Sequence, residues 1–186
     1  MKKTILPLLL CILLAFSACG YNEFDPDEYV GEGLLTAFGI IVDENQYFYN
    51  EVFVLGHLET DEKVTKQVDG KTYARVKDEK IGSYEELTDR LLSVYTEECV
   101  ESILENYDFY IDIDGALYYD LSNDENTRGG YKWIRNTEKT PELEGKTENS
   151  YTIEYKFDCG KKDELDEFTF VRVEGGYRLT KLQYVT

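Results

Sequence analysis

One stretch, Ser83 to Gly115, limits what this chain can fold into more than any other. Ser83 is followed three residues later by Glu86, the reciprocal pairing that satisfies two orphan amides at a helix start. Leu87, Leu91, Leu92 and Tyr95 then recur at helical spacing and define one apolar face. Thr96 restarts the pattern as a second N-cap, with Glu97 and Glu98 where a helix N-terminus favours negative charge. Val100, Ile103, Leu104 and Tyr107 continue the stripe. After Asn106 the period changes to two: Phe109, Ile111 and Ile113 alternate with Tyr110, Asp112 and Asp114. Asp114-Gly115 is a hairpin signal, because both residues tolerate the positive φ of a tight turn. Two short capped helices therefore deliver the chain into an antiparallel sheet.

The rest of the chain extends this pattern. Asp25-Pro26-Asp27-Glu28 predicts a helix start, running to about Val42, with a second helical stretch from Asn45 to Leu55 that Gly56 stops. Glu59 to Lys63 reads as a charged loop. Val64–Val68 and Lys71–Val76 flank Asp69-Gly70 as a hairpin. Beyond Gly115 the sequence predicts a strand through Tyr119, a polar acidic loop to Gly130, and strands at Tyr131–Asn136, Tyr151–Phe157, Glu167–Val173 and Tyr177–Tyr184. Helices first and an antiparallel meander afterwards is an α+β layout, with N-terminal helices packed on one face of a curved sheet.

The first residues predict an export address. Lys2 and Lys3 precede an apolar run from Ile5 to Phe16, short for a bilayer span and right for a signal peptide. The run ends Phe16-Ser17-Ala18-Cys19-Gly20, which resembles the bacterial lipobox, with Phe16 where Leu is usual. Residues 1–18 are thus expected to be a lipoprotein signal peptide, Cys19 the diacylated N-terminus, 19–24 a tether and 25–186 a single domain. Two acyl chains make a stable anchor outside the cytoplasmic membrane. Cleavage removes two lysines and no acid, leaving 18 basic against 38 acidic side chains, a formal charge of −20. Such a surface repels phosphate backbones, which excludes a nucleic-acid partner, and it attracts basic proteins. Cys11 leaves with the signal. Cys99 and Cys159 remain, and two cysteines make no disulfide framework, so both are expected as thiols.

Asp69-Gly70-Lys71-Thr72-Tyr73, Ser83-x-x-Glu86-Leu87, Val94-Tyr95-Thr96, Asp114-Gly115-x-Leu117-Tyr118, Arg128-Gly129-Gly130 and Gly176-Tyr177-Arg178-Leu179 occur in that order. Together they resemble the IseA family of bacterial inhibitors of peptidoglycan DL-endopeptidases. The resemblance implies a cystatin-like α+β fold, no enzymatic activity, and a partner among NlpC-type cysteine hydrolases of the cell wall, whose active-site cleft the inhibitor blocks. Some family members are simply secreted, so a lipid anchor departs from them. The chain is expected to be a monomer without cofactors.

Catalytic and metal chemistry find little footing in the residues. His57 beside Gly56 reads as a surface histidine at a helix end, and no cysteine has a motif partner. Asp108, Asp112 and Asp114 with Gly115 approximate a calcium loop, but Leu121 stands where the bidentate Glu belongs. What remains is binding. Asp120 to Gly130 is the expected contact loop, with Asp120, Asp124, Glu125 and Arg128 as its charged groups and Tyr118, Tyr119 and Tyr131 as contact area. The alternative is a small-ligand-binding lipoprotein of the cystatin-like or nuclear-transport-factor-like type, whose pocket would be lined by Tyr and Phe.

Overall fold

The computed structural model describes residues 30–125, 132–159 and 163–184, without the side chains of Asp124 and Glu125. The chain divides into two units at Val30 and Gly31, and every described element belongs to the second. The predicted signal peptide, Cys19, the tether and the helix start at Asp25-Pro26 lie outside the described residues.

Helix α1 spans Glu32–Tyr47 and passes without a break into a π-helical turn, Phe48–Phe53. Asp43-Glu44-Asn45 looks like a loop in sequence, yet each side chain has a partner that holds it in the helix. Asp43 takes the guanidinium of Arg135 through two bonds of 2.7 Å. Glu44 takes Arg90 at 2.8 and 3.0 Å. Asn45, fully buried, accepts from Tyr95 Oη (2.9 Å) and Gln183 N (3.0 Å) and donates to Gln183 O (2.8 Å). Gly39 leaves room for the first of these contacts, since a Cβ there would lie 3.3 Å from the Arg135 guanidinium. Gly56 closes the π-helical turn, where a Cβ would stand 3.0 Å from Asn50 O.

The helix pair follows the prediction closely. Helix α2 spans Tyr84–Val94 and α3 spans Glu97–Asn106. Ser83 Oγ accepts from Glu86 N (3.0 Å) and Glu86 returns a carboxylate oxygen to Ser83 N (3.1 Å). Thr96 caps α3. Leu87, Leu91, Val94, Val100 and Ile103 face the interior, as their spacing requires.

The strands form two antiparallel sheets rather than the one curved meander expected. The first has the order β1-β2-β4-β3, with β1 at Thr60–Val68, β2 at Lys71–Val76, β3 at Tyr110–Ile113 and β4 at Ala116–Asp120. Strand β1 starts inside the stretch read as a charged loop, and its register shifts between Asp61 and Thr65. Both hairpins have the expected left-handed turns: Asp69 φ 50°, Gly70 φ 81°, Asp114 φ 57° and Gly115 φ 79°. The second sheet has the order β5-β7-β8-β9 with β6 also on β7. Its strands are Ile134–Arg135, Glu142–Lys146, Ser150–Asp158, Asp163–Val173 and Gly176–Leu179. Strand β6 is unanticipated by the sequence reading. Strand β9 stops at Leu179, not Tyr184, because Thr96 N takes Leu179 O (2.9 Å) and Asn45 takes Gln183.

The helical spine joins the two sheets. Phe38 of α1 stacks on Phe170 of β8 at 4.1 Å and meets Tyr177 of β9 edge-on at 5.2 Å. Farther along, Phe53 packs on Tyr107, Phe109 and Tyr110, beside the first sheet. Phe38, Phe48, Phe53, Phe157, Phe168 and Phe170 are all fully buried. Burial of such a side chain contributes about 1.5–3 kcal/mol. The α+β class, helices against curved antiparallel sheets, is as the sequence predicts. No helix among the described residues is long and apolar enough to cross a membrane.

Candidate functional site

The predicted contact region begins where β4 ends, and the structure rearranges its members. Strand β4 is central in its sheet, between β2 and β3, and its residues from Leu117 to Asp120 are buried. Tyr118 and Tyr119 are 5% and 1% exposed. Tyr119 packs against Phe109 and Tyr110 and stacks flat on His57 at 4.4 Å. These two tyrosines are interior groups, not the exposed contact area expected of them. His57 is likewise half-buried rather than a surface side chain, with Nδ1 2.8 Å from Leu58 O.

Asp120 is the larger correction. Expected as a charged group of the contact loop, it is the last residue of β4 and only 2% exposed. Its main chain is tied down by Asp120 N donating to Phe109 O at 2.8 Å and by register with Tyr73 of β2. One carboxylate oxygen, Oδ1, accepts from both Ser122 N (2.9 Å) and Ser122 Oγ (2.7 Å). The other, Oδ2, takes the ammonium of Lys71 at 2.7 Å. Burial pushes this carboxyl up, but the hydrogen bonds from Lys71 and Ser122 outweigh it and hold it below the ordinary carboxylate range. The same hydrogen bond raises the Lys71 ammonium. Both groups are therefore charged at neutral pH.

Past this clamp the chain makes a 3-10 turn, Leu121–Glu125. Asp124 and Glu125 have their backbone in that turn. Arg128 and Tyr131, with Gly129 and Gly130, lie outside the described residues. The sequence reading missed Lys71 and Ser122 as members of the site. Asp-x-Ser after a strand is a side-chain-to-backbone turn signal that could have revealed the second.

A second concentration of acid lies on the outer face of the other sheet. Glu142 of β6, Glu154 of β7 and Glu167 of β8 stand in one cross-strand row. The bulge between Leu143 and Gly145 adds Glu144. Partial burial, with the neighbouring Glu144, Glu142 and Glu167 carboxylates, raises the Glu154 carboxyl. Glu142, Glu144 and Glu154 each bring one oxygen within 4.8 Å of the others. Three such oxygens are fewer than the six to eight of a calcium shell.

Cys99 is a buried thiol on α3 and is not joined to Cys159. Burial pushes the thiol up to about 11, opposed weakly by a hydrogen bond from the Leu182 backbone. A thiol held in that form is a poor nucleophile. It lies in a groove of about 710 Å³ bordered by Thr96, Ser102, Asn106, Tyr107 and Lys181, open to solvent and half polar.

The described residues thus form a small α+β body with a charged clamp at the start of an acidic turn. The chain belongs to the IseA DL-endopeptidase inhibitor family, whose model matches residues 37–183 and so spans α1 to the C-terminal stretch. No individually curated protein matches it.

Proposed function

We propose that this chain is a lipid-anchored, extracytoplasmic inhibitor of peptidoglycan DL-endopeptidases of the NlpC cysteine-hydrolase type, which it blocks at the active-site cleft without performing catalysis itself. The observation that carries the reading is membership of the IseA DL-endopeptidase inhibitor family over residues 37–183. Three features support the finer points. The Ser17-Ala18-Cys19 boundary behind an apolar run fits diacylation at Cys19. A formal charge of −18 for the whole chain suits docking to a basic protein. The protonated Cys99 thiol is unsuited to covalent catalysis.

The test is inhibition of wall digestion. Full-length lipoprotein, purified from membranes, is mixed with an NlpC-type endopeptidase and cell-wall sacculi. Release of peptide fragments should fall in a saturable way, competitively with substrate. Undiminished digestion at saturating inhibitor would refute the reading. Metabolic labelling with a fatty acid should mark the chain and fail in Cys19→Ser. The small-ligand alternative asks for an enclosed Tyr- and Phe-lined pocket, and the 710 Å³ groove beside α3 is open and rich in hydroxyl groups.

A further inference from the structure

We propose that Asp120 is a positioning residue: by dividing its carboxylate between Lys71 and Ser122, it sets the direction in which the chain leaves β4 and so presents the Leu121–Glu125 turn to the endopeptidase. This rests on the inhibitor reading above, with the acidic stretch after β4 as its contact loop, and adds what aims that stretch.

The division of labour between the two oxygens carries the inference. Oδ2 is held by Lys71 at 2.7 Å. Lys71 is the first residue of β2, directly after the Asp69-Gly70 turn, so its stem starts from a hairpin whose geometry is set by two left-handed residues. Oδ1 is held by the backbone N–H and hydroxyl of Ser122, the second residue of the 3-10 turn. The carboxylate is thus a strut between a rigid hairpin and the first turn of the exit segment. A side chain needed only to end the strand would not have to be an acid. An asparagine could accept from Ser122, and a threonine would pack, without placing a charge at 2% exposure. Only a carboxylate can accept from the turn on one oxygen and hold an ammonium on the other. The main-chain bond from Asp120 N to Phe109 O keeps the strut's own base in the sheet. Rotation of the exit segment therefore requires breaking bonds at the side chain, not bending the strand.

Full-length protein tests this in two measurements. In the first, amide exchange is followed without enzyme. In Asp120→Asn, the amides of Ser122 to Glu125 should exchange about tenfold faster while those of Leu117 to Tyr119 are unchanged. In the second, potency against an NlpC-type endopeptidase is read for Asp120→Asn, Lys71→Met and the pair. Each single change should weaken inhibition about tenfold, and the double change no more than either, because one strut has been removed twice. The deciding arm replaces Ser122–Glu125 by Gly-Ser-Gly-Ser. In that background Asp120→Asn should cost no further potency. If it costs the same factor there, Asp120 acts on the fold as a whole and the assignment is overturned. Unchanged exchange in Asp120→Asn, or unchanged potency beside an active wild type, overturns it as well. A wild type that inhibits no such enzyme, with exchange accelerated as expected, would sink the inhibitor reading and the presenting role while leaving the strut.

Discussion

Asp120 and Glu154 are both acids on strands, and their surroundings push them in opposite directions. Asp120 is almost wholly buried, yet its carboxyl is held below the ordinary range because Lys71 and Ser122 supply three hydrogen bonds. Glu154 is nearer to solvent, yet its carboxyl is raised, first by desolvation and then by Glu144, Glu142 and Glu167 around it. Exposure alone therefore does not rank the two acids: desolvation raises both, hydrogen-bond donors outweigh it only at Asp120, and like charges add to it at Glu154. The first sheet keeps one acid in its interior and neutralises it locally. The second keeps its interior aromatic and sets its acids in a row on the outside, where water and salt screen them.

The comparison can be broken most severely from inside the second sheet. Phe170→Ala should destabilise the protein by about 3–5 kcal/mol, since a fully buried ring stacked on Phe38 is replaced by a cavity. Chemical denaturation should show the midpoint falling without a change in slope. If the loss stays below 1 kcal/mol, α1 is not the spine described above. Asp120→Ala comes next, at about 1–3 kcal/mol, because the Ser122 amide loses a charged acceptor in a nearly closed site. The smallest effect belongs to Glu154→Gln, which should raise the melting temperature slightly by removing like-charge repulsion across three strands. Acid titration of the native protein orders the two groups. A raised carboxyl binds its proton more tightly folded than unfolded, so protonating Glu154 adds stability as pH falls toward 4.5, its ordinary value. A lowered carboxyl does the reverse: the Asp120 contribution is complete above 3.8 and is lost as pH falls below it, through the folded value. Melting temperature should therefore rise slightly and then fall on acidification, and Asp120→Asn should flatten the fall alone.

The two sheets also differ in how much of them can be read from the chain. Ser83, Thr96, Asp69-Gly70 and Asp114-Gly115 act through bonds to residues within four positions, so their local sequence determines what they do. The first sheet and the helix pair are accordingly visible in advance. Strand β6 is not, because Glu142-Leu143-Glu144-Gly145-Lys146 has one apolar side chain and a bulge, and only its pairing with β7 makes it a strand. Continuity of α1 through Asp43-Glu44-Asn45 depends on Arg135, Arg90 and Gln183, all remote in sequence. The site shows the same division. That the acidic stretch after β4 matters for contact is a reading of composition, whereas the inward turn of Asp120 depends on Lys71, forty-nine positions earlier. Tyr119 looks like a contact residue only until Phe109, Tyr110 and His57 are seen to pack on its ring.

The bonds between Asn45 and Gln183, 138 positions apart, have a consequence for the life of the molecule. Tyr95 satisfies only the Asn45 oxygen, so the amide nitrogen of this buried side chain near the end of α1 depends on Gln183. Contacts of such separation form slowly, since a large loop must close before they give anything back. The helix therefore reaches its final interior contacts only after the C-terminal stretch folds back onto it.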